Sequence, residues 1–394
     1  MNMKTKFIAF ALLFSVSSAF AQKAKIQTAY NYFKYEQLDK AKEAIDEAAV
    51  NDGSMNIDKT WYYRGLIYEQ IYNSDKFKDL APNALEVAYL SYKKVLEVDP
   101  KSEFKDEIEK RLTYVKIDFF NKAVESFKVK DYASALTNFE YVLKITPEDS
   151  SANLYAAYSA ERGKNNAKAI EHYQKIISMK EDAAAVYRSL AILYKVEKDT
   201  SRALFTLQDG RKKFPDDLDL MLAEINIYLP QGKNKEAIDL LNAAIAKDSK
   251  NASLYFALGA TYDGMGNAKD AANNNLAKPD DRKELLSKAK DAYQKAIEDK
   301  PDYFEANYNL GALYFNQAAE MLSTINEIKD PKLYAAAKQN VDAVFNQSQP
   351  YLEKALELNP NDHDTLLSLK QLYFRQNSMD KYYKVKDKLD AQGK

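Results

Sequence analysis

Reactive side chains are scarce in this sequence. Its 394 residues include two histidines, His172 and His363, and no cysteine. A hydrolytic triad needs a histidine, and disulfides or thiolate metal sites need cysteine, so little material exists for either chemistry. His172 follows Glu171 in a helical pattern and is interpreted as a solvated helix residue. His363 lies in the oxygen-rich loop NPNDHD, where a metal site is the alternative to a turn with an aspartate helix N-cap.

The other motifs that could do chemistry have simpler structural explanations. Gly264 and Gly266 form a G-x-G, but no strand precedes it as a dinucleotide-binding loop requires, so an inter-helix turn is expected. Paired carboxylates such as Asp216-Asp217 flank prolines in loops and are expected to cap helices. We therefore predict that the protein is not an enzyme, with no catalytic residues, no metal site and no cofactor.

Residue composition narrows the class of protein. The chain is 46% hydrophobic and 29% charged, which describes a folded protein rather than a disordered or membrane-embedded one. Its formal net charge is −1, so the clustered basic surface that nucleic-acid binding requires is not expected. Ten glycines and ten prolines are present, against 29 tyrosines. That scarcity of chain breakers favours long helices joined by short turns.

The N-terminus has the order of a secretory signal peptide. Lys4 and Lys6 precede the apolar run FIAFALLFSV, and small residues lead to the sequence A-F-A that ends at Ala21. The run is shorter than the roughly 20 residues that span a bilayer. We predict cleavage before Gln22, with residues 1–21 removed and an exported mature chain without a transmembrane span. In a Gram-negative cell this places it in the periplasm or at the periplasmic face of the outer membrane; an uncleaved anchor is the alternative.

Small residues recur at matching positions along the chain. Second-helix landmarks, each near the start of the second helix of one copy, are Ala41, Ala88, Ala135, Ala169, Ala203, Ala237, Ala289 and Ser348, with three successive spacings of 34 residues. First-helix landmarks precede them, by twelve residues in the regular copies: Ala29, Gly65, Ala123, Ala157, Ala191, Ile225, Gly259 and Gly311. A proline follows five of the second-helix landmarks by twelve residues: Pro100, Pro147, Pro215, Pro301 and Pro360.

This pattern predicts one pair of helices in every copy. Small landmarks let the two helices approach closely, and proline ends the second helix because it lacks an N–H group. No single pair can bury its apolar faces, so stacked copies are expected to share a continuous core. We predict an all-α fold: a single α-solenoid of about nine helix pairs over residues 22–394, most regular over about 116–250.

The motifs resemble those of a known family, the tetratricopeptide repeat. YRSLAILY (Tyr187–Tyr194), followed by Ala203, Leu207 and Pro215, is similar to its 34-residue signature, as are WYYRGLIY (Trp61–Tyr68) and LYFALGATY (Leu254–Tyr262). The resemblance covers about residues 25–389 and implies a right-handed superhelix. Its departures are three insertions, at about 73–87, 263–288 and 316–347. The last two keep helical spacing and predict elongated helices that protrude from one edge, with Pro350 breaking or kinking one of them. In the ninth copy Lys370 and Tyr382 occupy the small positions.

One stripe of each first helix is the predicted functional surface. The family resemblance implies that this stripe lines a concave groove for a partner segment, and here it is unusually aromatic. The candidate partner-binding residues are Tyr30, Phe33, Tyr62, Phe120, Phe127, Tyr158, Arg188, Asn226, Phe256, Tyr308, Phe315 and Phe374. Packing between neighbouring repeats is the alternative for each aromatic residue.

Three functions fit these features. The first is a non-catalytic scaffold in the cell envelope that binds an extended segment or helix of another envelope protein in the groove. The second is a structural subunit of an outer-membrane assembly, docked through the insertions at 263–288 and 316–347. The third is binding of cell-wall glycan, since aromatic rings stack on sugars. The sequence specifies neither the partner's identity nor the oligomeric state.

Overall fold

Helices make up almost all regular structure in the computed structural model, which describes residues 24–180, 183–270, 272, 274–325 and 327–393. These ranges contain 18 α-helices and one isolated bridge, between Lys269 and Asn275. The predicted signal peptide lies outside the described residues. Among the described helices, none has the length and apolar character needed to cross a membrane.

The helices follow one another as pairs along the chain. In the first five pairs they are α1 (24–34), α2 (Leu38–Ala49), α3 (Asp58–Tyr72), α4 (Ala84–Val98), α5 (Lys105–Lys128), α6 (Tyr132–Ile145), α7 (Ser150–Arg162), α8 (Asn166–Met179), α9 (Ala184–Val196) and α10 (Thr200–Lys213). The last four pairs are α11 (Leu218–Tyr228), α12 (Asn234–Lys247), α13 (Ala252–Gly266), α14 (Pro279–Asp299), α15 (Phe304–Ile325), α16 (Pro331–Leu358), α17 (His363–Arg375) and α18 (Met379–Gln392). This arrangement confirms the predicted all-α helical repeat, with one pair for each of nine copies.

The chain divides into two compact units, and each is described by itself. The N-terminal unit extends to Val186, and the C-terminal unit begins at Tyr187, inside α9.

Local sequence sets the helix ends. Aspartate side chains cap α6, α7, α10, α11 and α17 by accepting a hydrogen bond from a backbone N–H three residues on. Asp217, one of the paired carboxylates, is among these caps, as predicted. The five landmark prolines each lie two residues beyond the last residue of a second helix, where a missing N–H does no harm.

Landmark residues form the contact between the two helices of a pair. Ala123 and Ala135 are fully buried, and Phe139, four residues after Ala135, is fully buried beside them. Where the first landmark is glycine, the residue four after the second landmark lies directly on it. A Cβ atom added to Gly65 would lie 2.3 Å from the ring of Tyr92, and one on Gly259 would lie 2.7 Å from Tyr293. These glycines are required because a tyrosine fills the space of their missing side chains.

Tyrosine hydroxyls in the core bond to carboxylates at a repeated register within a copy. The tyrosine lies four residues after the second landmark, and the acid lies four after the first. The hydroxyl of Tyr92 donates to Glu69 at 2.5 Å, and that of Tyr173 donates to Glu161 at 2.6 Å. Tyr293 and Asp263 form the same pair at 3.3 Å. The ring is thus buried while its polar tip stays hydrogen-bonded.

A second register joins consecutive copies. A tyrosine three residues after one first-helix landmark bonds to the residue five after the preceding second-helix landmark. Tyr68 donates to Asp46 at 2.7 Å, and Tyr373 donates to Glu353 at 2.9 Å. The Tyr228 hydroxyl accepts from the Gln208 amide at 2.9 Å. These two registers account for part of the high tyrosine content.

Several details differ from the sequence-based expectations. First helices were expected to have about a dozen residues, yet α5 has 24, because the extra residues before its landmark extend the helix backwards. Gly264 and Gly266 lie in the last turn of α13 rather than in a turn between helices. Pro350 does not break α16, which continues from Pro331 to Leu358. The elongation of α14, α15 and α16, at 21, 22 and 28 residues, is confirmed.

Candidate binding groove

An open groove lies between α9 and α11, the first helices of the fifth and sixth copies. It encloses about 250 Å³ within the C-terminal unit. Ile192 on α9 and Leu222 on α11 form its apolar centre, with Ala191, Ala223 and others around them. The Ile192 side chain is 51% exposed. An apolar surface of this kind, left open between two helices, is a candidate for contact with another molecule. We call it the α9–α11 groove.

Polar side chains flank the apolar centre. Arg188 and Asp219 form an ion pair across the two helices, so the charge of this arginine is already compensated. Lys195 and Asn226 also line the groove, and both are exposed. Neither forms a hydrogen bond or ion pair with any residue that the structure describes. They remain available to bind a ligand.

The α11 wall of the groove is anchored from behind. Glu224 on α11 is fully buried, and its Oε2 lies 3.2 Å from Nε of Arg211 on α10. Burial raises the pKa of Glu224, and the nearby guanidinium opposes that rise. Leu222 packs partly on the core beside Met221 and Ile225. Because its back is held this way, α11 presents Leu222 and Asn226 as a fixed surface.

The same stripe is closed in the N-terminal unit. Phe120 on α5 packs edge-on against Phe139, with ring centroids 5.4 Å apart, and Phe127 packs edge-on against Tyr155. Tyr155 also stacks on Phe139 at 5.6 Å and contacts Tyr158 at 6.2 Å. Aromatic rings therefore fill the space between α5, α6 and α7. Tyr155 was missed by sequence reasoning because it lies two residues before its landmark, off the predicted stripe.

Most of the other candidate residues also pack on neighbouring rings. The ring contacts are Tyr30 with Tyr63, Tyr62 with Phe104, Phe256 with Tyr293 and Tyr303, Tyr308 with Phe304, Phe315 with Phe345, and Phe374 with Tyr382. Phe33 is half-buried, whereas Phe374 is 62% exposed. Of the twelve predicted residues, Arg188 and Asn226 line the α9–α11 groove. The others are distributed along separate helix pairs.

The histidines differ in their surroundings. The interpretation of His172 as solvated is wrong, since it is 5% exposed and its Nδ1 lies 3.1 Å from Oδ1 of Asn153. Asn153 donates its amide to backbone oxygens of Pro147 and Asp149, so its oxygen accepts from Nδ1–H. His363 begins α17, and the preceding Asp362 caps that helix as expected. Within the described ranges, acidic and histidine side chains form no cluster suited to a metal ion.

Family comparisons agree with the repeat seen in the coordinates. Residues 226–266 and 286–317 match a family model described as TPR repeat, and residues 120–186 match one described as tetratricopeptide repeat. This is a tetratricopeptide-repeat protein. Such repeats are generally found in non-catalytic proteins that bind other proteins. Residues 4–118 match the YfiO model, described as an outer membrane lipoprotein. No curated protein matches the chain significantly.

Solved structures of other tetratricopeptide-repeat proteins are similar over part of the chain. The C-terminal part of a TPR repeat-containing protein from Cytophaga hutchinsonii is 15% identical, covers 69% of this chain and 94% of its own, and has a TM-score of 0.49. YrrB, described as a TPR protein with an unusual peptide-binding site, is 18% identical, with coverages of 55% and 95% and a TM-score of 0.37. MamA is 16% identical, with coverages of 52% and 96% and a TM-score of 0.37.

Proposed function

We propose that this tetratricopeptide-repeat protein is a non-catalytic scaffold that holds a segment of a partner protein in the α9–α11 groove. The observation that carries the proposal is the open apolar centre at Ile192 and Leu222, beside the unengaged side chains Lys195 and Asn226. Burying Ile192 removes apolar surface from water, which favours association by about 25 cal/mol per Å² before ordering costs. The polar groups would then fix the orientation of the bound segment.

The groove favours a particular kind of segment. Its centre suits one or two aliphatic side chains, because the walls there are Ile, Leu and Ala. At one end Asp219 already neutralises Arg188, whereas at the other the charge of Lys195 has no partner among the described residues. A segment with an apolar residue followed or preceded by an acidic one would satisfy both features. Asn226 could hydrogen-bond the backbone of an extended peptide.

The proposed location is the cell envelope. Two features support it: the charged, apolar and small-residue order of residues 1–21, and the similarity of residues 4–118 to a family described as an outer membrane lipoprotein. No cysteine occurs in the 394 residues, so none of them could carry a thioether-linked lipid. In this proposal the partner is another envelope protein.

Site-specific crosslinking in intact cells tests the groove. A photoreactive amino acid at Lys195 should capture a discrete partner, and Ile192→Ser should reduce that product at least about fivefold by removing apolar contact. The matched control places the same photoreactive group at Phe205, which is 67% exposed on the second helix α10 and does not line the groove. Equal capture from both positions, or capture unaffected by Ile192→Ser, would reject this use of the groove.

A second candidate function is docking into an outer-membrane assembly through the elongated helices. Exposed apolar side chains in these segments favour it: Leu276 before α14 is 65% exposed, and Leu333 at the start of α16 is 63% exposed. The neighbouring Tyr334 is also exposed. The double variant Leu333→Ser with Tyr334→Ser should keep the fold and remove co-purifying partners if this surface docks. Loss of partners from this variant, with the Lys195 crosslink unchanged, would assign the two surfaces to different partners.

A further inference from the structure

A second cavity of the C-terminal unit is polar and lies among α13, α14 and α15. It encloses about 280 Å³, and we call it the α13–α15 pocket. Its charged lining includes Asp263, Arg282 and Lys290, and the amides Asn309 and Asn316 also reach it. None of its lining residues belongs to the α9–α11 groove. The ligand preference of this pocket follows from which charges already have partners.

Arg282 is fully engaged in holding the pocket together. Its Nε donates to the backbone oxygen of Gly266 at 3.1 Å, and one Nη donates to Oδ1 of Asn267 at 3.1 Å. The other Nη contacts both carboxylate oxygens of Glu320, at 3.1 and 2.9 Å. Arg282 therefore joins the end of α13 to α15, and its charge is matched by Glu320.

Asp263 is held by neutral donors. The Asn267 amide donates to Oδ1 at 2.6 Å, and the Tyr293 hydroxyl donates to Oδ2 at 3.3 Å. Burial raises the pKa of Asp263, against the opposing effect of these hydrogen bonds and of Arg282. This carboxylate is thus accounted for within the protein.

Lys290 is the exception. Its half-buried ammonium donates to Oε1 of Gln317 at 2.9 Å and lies 4.9 Å from the ring centre of Tyr314. Among the described residues, no carboxylate oxygen lies within the 4.0 Å of an ion pair with it. Burial lowers the pKa of Lys290, against a smaller opposing influence of Asp291. A partly buried cation without a counter-ion costs free energy that a bound anion would recover.

We propose that the α13–α15 pocket binds a carboxylate group, with Lys290 as its counter-ion. A monoanion matches the one unpaired charge. A phosphate dianion would carry excess negative charge into a pocket already lined by Asp263 and Glu320. The remaining donors, Asn309 and Asn316, suit the amide groups on either side of an acidic side chain. The source of the carboxylate is therefore an acidic residue of a peptide or a free small acid, and the binding test separates them.

Paired ligands test the carboxylate directly. N-acetyl-glutamate methylamide and N-acetyl-glutamine methylamide differ only in the carboxylate, and acetate serves as the free acid. Binding is followed through methyl resonances of Leu286 and Leu313, which line the pocket. The glutamate derivative should bind at least about tenfold more tightly than the glutamine derivative, as expected for one charge-assisted hydrogen bond. Acetate binding as tightly as the glutamate derivative would indicate a free acid as the source.

Variants of α14 provide the second arm. Lys290→Met should remove the difference between the two derivatives, because it deletes the ammonium while keeping the length of the side chain. The matched control is Lys288→Met, whose ammonium pairs with Glu284 and does not line the pocket. Equal binding of the two derivatives to the native protein, tighter binding of inorganic phosphate, or an unchanged preference in Lys290→Met would each overturn the proposal. Because the α9–α11 groove shares no residue with this pocket, these results do not depend on the proposed function.

Discussion

The same stripe of the first helices is closed in one region and open in another. On α5 and α7 it carries Phe120 and Tyr158, and with Tyr155 and Phe139 these form a network of ring contacts. On α9 and α11 it carries aliphatic and polar side chains, and a cavity of about 250 Å³ stays open between the helices. The repeat fixes where the stripe lies, whereas the size of the side chains decides whether it is core or surface.

The largest expected effect is the loss of a ring from the closed region. Phe139→Ala should destabilise the protein by about 3–5 kcal/mol, because it empties the space that Phe120 and Tyr155 pack against. Urea unfolding measures this change. The control is Leu90→Ala, at an exposed apolar residue of the same unit, which should change stability by less than about 1 kcal/mol. Similar losses from both would contradict the account of a filled aromatic region.

Tyr173→Phe tests the hydroxyl–carboxylate register. It leaves Glu161 without the hydrogen bond of 2.6 Å and should cost about 1–2 kcal/mol. Tyr155→Phe is the matched control, because the Tyr155 hydroxyl makes no hydrogen bond to any described residue and the side chain is 40% exposed. Equal thermal unfolding of Tyr173→Phe and the native protein would show that this repeated pair does not stabilise the fold.

Filling the open groove should make it resemble the closed region. Ala223 lines the groove, so Ala223→Phe should occupy the cavity and weaken partner binding at least about tenfold, with a stability change within about 1 kcal/mol. Ala243→Phe, at an exposed position on α12, is the control and should bind the partner normally. The comparison is made by quantifying the Lys195 crosslink in both variants. Normal capture by Ala223→Phe would mean that the cavity is not the binding surface.

The pH dependence of stability should report the burial of His172. Burial lowers its pKa in the folded state, with opposing effects from Glu171 and Glu140, and Lys168 adds to the lowering. Stability linked to the neutral imidazole is therefore present above its unfolded pKa of about 6.5 and is lost as the pH falls below that value. His172→Gln should flatten this part of the profile in urea unfolding between about pH 7 and 5. An unchanged slope would show that His172 does not titrate differently on folding.

Much of the fold follows from the sequence because the landmarks have a direct physical meaning. A small residue marks a helix contact, and Pro147 or Pro215 marks the end of a helix, so the paired helices could be placed from spacing alone. The hydroxyl–carboxylate register was also visible in the sequence, as Tyr92 and Tyr173 both lie four residues after a landmark and Glu69 and Glu161 do the same in the first helix. That signal was not used.

The candidate site could be predicted less completely. The stripe identified Arg188 and Asn226 correctly as facing a groove, but it treated Phe120 and Tyr158 in the same way. Their packing depends on Tyr155 and Phe139, which belong to different faces and helices, and a one-dimensional period does not combine them. Lys290 gave no sequence signal, since its lack of a counter-ion depends on where Gln317 and Tyr314 lie in space.

One paired measurement tests the central claim most directly: thermal stability and partner capture in Ile192→Ser and Phe120→Ser. Ile192 is 51% exposed in the open groove, so its replacement should lower capture at least about fivefold while changing stability by less than about 1 kcal/mol. Phe120 packs on Phe139 and Tyr155, so its replacement should cost about 2–4 kcal/mol. The opposite pattern, with the larger stability loss from Ile192→Ser and the loss of partner from a well-folded Phe120→Ser, would contradict the account.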